Sequence, residues 1–125
     1  MSLLDKLFPK KHAIVRREMP SWEEIVSHMP GQELSFFTDT IVRVISSKDR
    51  AKRIILLQSD HGFYKIVFEE IRVWDEEEWN CCGDSGRYPA WWEPVDAPFS
   101  RSIYGTQEEA IHGVMESHEY KAYFA

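Results

Sequence analysis

Hydrophobic positions along the chain change their period several times, and each change marks a predicted element. Trp22, Ile25, Val26 and Met29 recur at the spacing of one helical face. Ser21-Trp22-Glu23-Glu24 reads as a capping box, in which the serine hydroxyl accepts the Glu24 backbone N–H and Glu24 reaches back. Pro30-Gly31 ends the segment. A two-turn helix is predicted, with the whole Trp22–Met29 stripe facing a core. A shorter stripe, Leu3, Leu4, Leu7 and Phe8, is stopped by Pro9 and reads as a docking turn or a frayed terminus.

From Glu33 the pattern becomes strand-like, rich in Phe, Thr, Ile and Val, with Thr38-Asp39 as a bend between two pieces. In the second piece Ile41, Arg43 and Ile45 share one face, and Val42 and Val44 the other. After a polar turn from Ser46 to Lys52, Arg53-Ile54-Ile55-Leu56-Leu57-Gln58 is a continuous apolar run, as expected of a central strand covered on both faces. Asp60-His61-Gly62 is a hairpin turn, with Gly62 supplying the left-handed position. Tyr64, Ile66 and Phe68 then alternate, but Ile71 and Val73 take the opposite parity. A β-bulge at Glu69-Glu70 in one long bent strand is the predicted cause.

Asp75 to Phe99 breaks the rhythm. Gly83, Gly86, Pro89, Pro94 and Pro98 keep most of it from regular structure, while Trp79, Trp91 and Trp92 argue against disorder. A short strand is predicted at Arg101–Tyr104. A second capping box, Thr106-Gln107-Glu108-Glu109, opens a helix predicted over Gln107–His118. Ala110, Ile111, Val114, Met115 and His118 form its core stripe, and Glu108, His112 and Glu116 its wet face. The aromatic tail Glu119–Phe124 reads as docked.

Strands in series with a helix near each end indicate an α+β fold: an antiparallel sheet of about four to six strands, strongly bent, with an N-terminal and a C-terminal helix packed on it. The 125 residues suit a single domain, residues 1–125, with 1–19 as a loosely attached segment. Hydrophobic residues make up 43%, which is enough for a core without a disulfide or a metal. No apolar run reaches membrane-spanning length.

Net charge is −6, which disfavours a general nucleic-acid binder, but the distribution is more informative. Residues 1–19 carry +3, residues 48–53 carry +3, and residues 69–96 carry −7. The two cysteines, Cys81 and Cys82, are adjacent; this pattern suits free thiols in a reducing cytoplasm, and neither a disulfide framework nor a zinc site.

Candidate chemistry is sparse. Ser59-Asp60-His61 holds triad residue types, but neighbours in a tight turn cannot hydrogen-bond in series. Glu108, His112 and Glu116 have the spacing of a helix-borne metal site without a metalloprotease motif, and read as surface decoration. Gly83-Asp84-Ser85-Gly86 lacks the spacing and the lysine of a phosphate loop. No catalytic residue, cofactor or metal ligand is assigned.

The strongest signal is aromatic and acidic: Trp79, Tyr88, Trp91 and Trp92 interleaved with Asp75, Glu76, Glu77, Glu78, Asp84 and Glu93. Tryptophan and tyrosine anchor binding hot spots, and an acidic rim steers a basic partner. Trp91 and Trp92, adjacent in extended chain, point to opposite sides, so at least one is expected to leave the core. The expected function is a small interaction protein, of the adaptor or toxin-neutralising kind, holding a basic protein through this surface. Neither nucleic acid nor a membrane span is expected, and self-association stays open. The alternative is a small-molecule or hydrolytic site beneath residues 75–99, with Trp91 or Trp92 stacking a ligand. A buried carboxylate or histidine in a deep pocket would favour the enzyme; an exposed tryptophan on an acidic apron favours the interaction protein.

Overall fold

The computed structural model describes residues 18–31, 34, 36 and 38–125. Helix α1 covers Trp22–His28 and runs into a 3₁₀ turn at Met29–Gly31. Strands β1 (Thr40–Ser46), β2 (Lys52–Gln58) and β3 (Tyr64–Val73) follow, then helix α2 (Glu76–Cys82) and strand β4 (Ala90–Pro94). A 3₁₀ turn at Pro98–Arg101 leads to helices α3 (Gln107–Met115) and α4 (His118–Tyr123). The architecture is α+β: one antiparallel sheet of four strands in the order β1-β2-β3-β4. The amphipathic stripe Leu3–Phe8 lies outside the described residues. So does most of the first strand piece, of which Leu34 and Phe36 are described and lie outside any strand.

The sheet is covered on both faces. On the front, Ile54 and Leu56 of β2 and Ile66 and Phe68 of β3 pack against Ala97, Phe99, Ala110 and Val114. On the back, Ile71 of β3 and Ala90 of β4 pack against Ile25, Val26 and Met29. This explains the parity change in β3. Its pairing with β2 runs unbroken from Gln58↔Tyr64 to Lys52↔Glu70, and its pairing with β4 from Glu69↔Pro94 to Val73↔Ala90. There is no bulge at Glu69-Glu70. The strand stays regular, and the layer that buries it changes sides: α3 and the 3₁₀ turn cover the front near Ile66 and Phe68, α1 the back near Ile71.

The bulge is in β1, where register shifts between Ile41 and Arg43. The extra residue re-aims the side chains that follow. Val42 and Ile45 both reach the front core, while Ile41 and Val44 are exposed. The alternation expected for this strand is therefore displaced by one position at Val42.

Both turns between the first three strands have a clear local cause. In the hairpin Gly62 has φ +86° and donates its N–H to the Ser59 carbonyl at 3.0 Å. In the other, the Asp49 carboxylate accepts from the Ser47 hydroxyl at 2.7 Å and the Ala51 N–H at 3.0 Å. Those bonds favour its ionised form and lower its pKa.

Three further expectations are corrected. Trp22 is 46% exposed, so the buried stripe of α1 starts at Ile25, one turn further from the cap. Residues 98–101 form a 3₁₀ turn opened by Pro98, and only Tyr104 bridges to the sheet, at Tyr64. The C-terminal helix ends at Met115 because Ser117 caps a new one, its hydroxyl accepting the Tyr120 N–H at 3.1 Å. Met115, at the end of α3, and His118, at the start of α4, are both exposed rather than part of a core stripe. Gly113, within α3, is explained by Tyr104: a Cβ there would lie 2.8 Å from the phenol oxygen.

Replacing Val114, 4% exposed in the front core, by Asp buries a charge without a partner. The expected loss is ~3 kcal/mol or more, about a 10 °C drop in thermal midpoint. An unchanged midpoint would contradict the packing of α3 on the sheet.

Candidate functional site

The acidic aromatic segment is more regular than its composition suggests. Asp75 caps α2, its carboxylate accepting the Glu78 N–H at 2.7 Å while Glu78 accepts the Asp75 N–H at 3.3 Å. Glu76, Glu77 and Glu78 then occupy the first turn, where carboxylates favour the positive end of the helix dipole. Asp-x-x-Glu is as good a cap as Ser-x-x-Glu, and this signal was present in the sequence. The expectation of irregular chain through Asp75–Phe99 is thus corrected by both α2 and β4.

Several of the aromatic side chains have structural partners. Trp79 is half-buried and lies against Trp74, with ring centroids 6.3 Å apart. Tyr88 stacks on His28 of α1 at 3.8 Å, which fastens the segment before β4 to the N-terminal helix. Burial and the nearby Glu24 charge both push the Tyr88 phenol pKa up.

Strand β4 then divides the tryptophan pair. Trp92 pairs with Ile71 and turns to the back, where its indole N–H donates to the Met29 carbonyl at 3.1 Å. Its ring lies 4.1 Å from the Arg53 guanidinium carbon. Arg53 in turn donates from Nε to Glu69 Oε1 at 2.7 Å, across the β2–β3 pair. Both charged residues are buried, Arg53 at 6% and Glu69 at 8% exposure. Burial lowers the arginine pKa while Glu69 acts to raise it.

Trp91 points to the other face and is 39% exposed. It sits opposite Arg72, which is bound to Glu93 at 2.6 Å and to Glu70 at 3.1 Å. Lys52 continues the row, 3.4 Å from Glu70 and over the exposed Tyr123 ring. Glu93 is thus neutralised where it stands. The uncompensated acids are on α2, where Glu76 and Glu77 are exposed and form no ion pair among the described residues. Asp84 is exposed in the turn beyond.

Of the ten residues singled out, Asp75 and Glu78 build the helix cap, Trp79, Tyr88 and Trp92 pack, and Glu93 is ion-paired. Glu76, Glu77, Asp84 and Trp91 are exposed. The sequence reading did not find the Arg53–Glu69–Trp92 cluster. The signal was available: counting outward from the Gly62 hairpin sets Arg53 opposite Glu69.

Among the described residues no histidine is buried, and no buried acid is left unpaired beneath residues 75–99. The buried carboxylate nearby is Glu69, engaged by Arg53, and His28, His61, His112 and His118 are exposed. A shallow depression of about 400 Å³ borders Phe68, Val95, Asp96 and Ser100. Its carboxylate, Asp96, is exposed and clasped by Arg101, which holds its pKa low. Among the described residues no group of His, Cys, Asp and Glu could hold a metal ion. Cys81 and Cys82 are exposed free thiols, and the contact with Cys81 pushes the Cys82 pKa up, so Cys82 is no activated nucleophile. No helix among the described residues is long and apolar enough to cross a membrane.

No family model matches the chain, and neither a curated protein nor a solved structure does.

Replacing Glu69 by Ala leaves a buried guanidinium without its partner and is expected to cost about 3–5 kcal/mol in urea unfolding. Replacing Arg53 and Glu69 together by Leu is expected to recover most of that loss, because no charge is then stranded. Equal loss in the single and double variants would contradict the pairing.

Proposed function

We propose that the protein is a non-enzymatic interaction module, adaptor- or immunity-like, that holds a basic protein partner on the surface formed by α2 and Trp91. The observation that carries this reading is the exposure of Trp91 at 39%, on the strand whose other tryptophan is committed to the core. An indole left in water beside a rigid, charge-balanced strand surface has the form of a binding anchor. Glu76 and Glu77, which form no ion pair among the described residues, supply a negative field suited to steering a lysine- or arginine-rich surface into place. The exposed adjacent thiols suit a reducing cytoplasm.

The test compares baits in affinity capture from native lysate: wild type, Trp91→Ala, and Glu76→Gln with Glu77→Gln. Wild type is expected to retain a basic protein that Trp91→Ala loses through faster dissociation, by about 2 kcal/mol. The double glutamine variant should slow association, and added salt should have the same effect on wild type. The same proteins captured equally by all three baits would refute the proposal.

A further inference from the structure

The molecule holds a second place where a ligand could sit, at the opposite edge of the sheet. Between α3 and the front of β1, β2 and β3 runs a groove of about 220 Å³. Ile45, Ile54, Leu56, Ile66, Ile111 and Val114 make its walls. An apolar cavity of about 150 Å³ is enough to hold benzene, and a water occupies ~30 Å³, so this groove has room for a medium-length alkyl chain. Tyr120 also lines the groove, and the aliphatic walls disfavour a polar solute that finds no partner there.

The groove mouth differs in chemistry. Arg43 lines it, placed on the front of the sheet by the β1 bulge, and Met115 lies across from it, 50% exposed. Arg43 makes no ion pair or hydrogen bond among the described residues. Arg50, Arg53, Arg72 and Arg101 by contrast each have a carboxylate partner, Glu23, Glu69, Glu93 and Asp96. A lone guanidinium at the end of an apolar slot selects a ligand with an alkyl body and one planar anionic head. Arginine offers a carboxylate two parallel N–H donors. Methionine at the rim can shift to admit the chain, since its side chain is unbranched and adaptable.

We infer that this groove binds a medium-chain aliphatic carboxylate, its chain between the half-buried Ile45 and Ile111, above the buried Ile54, Leu56 and Ile66, and its carboxylate on Arg43. The site is independent of the interaction surface: β1 and β4 are opposite edges, three strand spacings or ~14 Å apart.

The probes are sodium octanoate and uncharged 1-octanol, titrated into the full chain while methyl resonances of Ile45, Ile54, Ile66, Ile111 and Val114 are followed by NMR. Octanoate is expected to shift these methyls saturably and to bind more tightly than octanol. Arg43→Gln should weaken octanoate about tenfold and leave octanol unchanged. Met115→Glu sets a like charge at the exposed mouth and should weaken octanoate by a larger factor than octanol. Both positions are solvent-facing, so the variants keep the fold and their spectra report it. Octanoate that shifts none of the groove methyls, or that binds Arg43→Gln as tightly as wild type, would overturn the inference.

Discussion

A buried ion pair, Arg53 with Glu69, sits where β2, β3, β4 and α1 meet. It crosses from β2 to β3 on the back of the sheet, and the Trp92 ring of β4 covers the guanidinium. Trp92 then hands its indole N–H to Met29, at the end of α1. Three strands and the N-terminal helix are thereby tied at one point. Two charges removed from water are costly unless geometry and hydrogen bonds compensate them, so such a pair fixes register more than it adds stability. A slip of one residue would turn one strand's side chains to the opposite face and so part Glu69 from Arg53.

That constraint divides the work of the strands. With the back of β3 and β4 committed to α1, the front near Ile66 and Phe68 is free for α3 and the 3₁₀ turn. β4 must then send Trp92 inward, and strict alternation sends Trp91 out. The exposed indole follows from the buried one. On the front, α3 ends at Met115 and Ser117 caps the next helix. The groove beside Arg43 lies between α3 and the sheet.

Much of this was legible in the sequence, and the remainder was not, for identifiable reasons. The α+β class, the central β2 and the Gly62 hairpin follow from local pattern, because run length and turn chemistry act over a few residues. The parity change in β3 was visible, but its cause was not. A bulge and a change of covering layer leave the same trace in one strand, and only the partner registers separate them. The α2 helix was hidden by the glycines and prolines that follow it, Gly83 to Pro98, although aspartate caps as well as serine does. In the candidate site, the opposed directions of Trp91 and Trp92 could be read from alternation alone. Which of them turned inward depended on Met29 and Arg53, residues distant in sequence. Tyr88 and Glu93 could not be separated from the binding candidates without His28 and Arg72, which the fold brings to them.

The claim that Trp92 fastens α1 to the sheet while Trp91 takes no part in the fold can be measured directly by native-state amide hydrogen exchange. The reporters are the α1 amides of Ile25 and Met29, bonded to the Ser21 and Ile25 carbonyls, and the α3 amide of Ala110, bonded to Thr106. Trp92→Ala is expected to lower protection at Ile25 and Met29 by about tenfold or more, with a smaller change at Ala110. Trp91→Ala is expected to leave all three as in wild type. Unchanged protection of α1 in Trp92→Ala, or its collapse in Trp91→Ala, would contradict that division of roles.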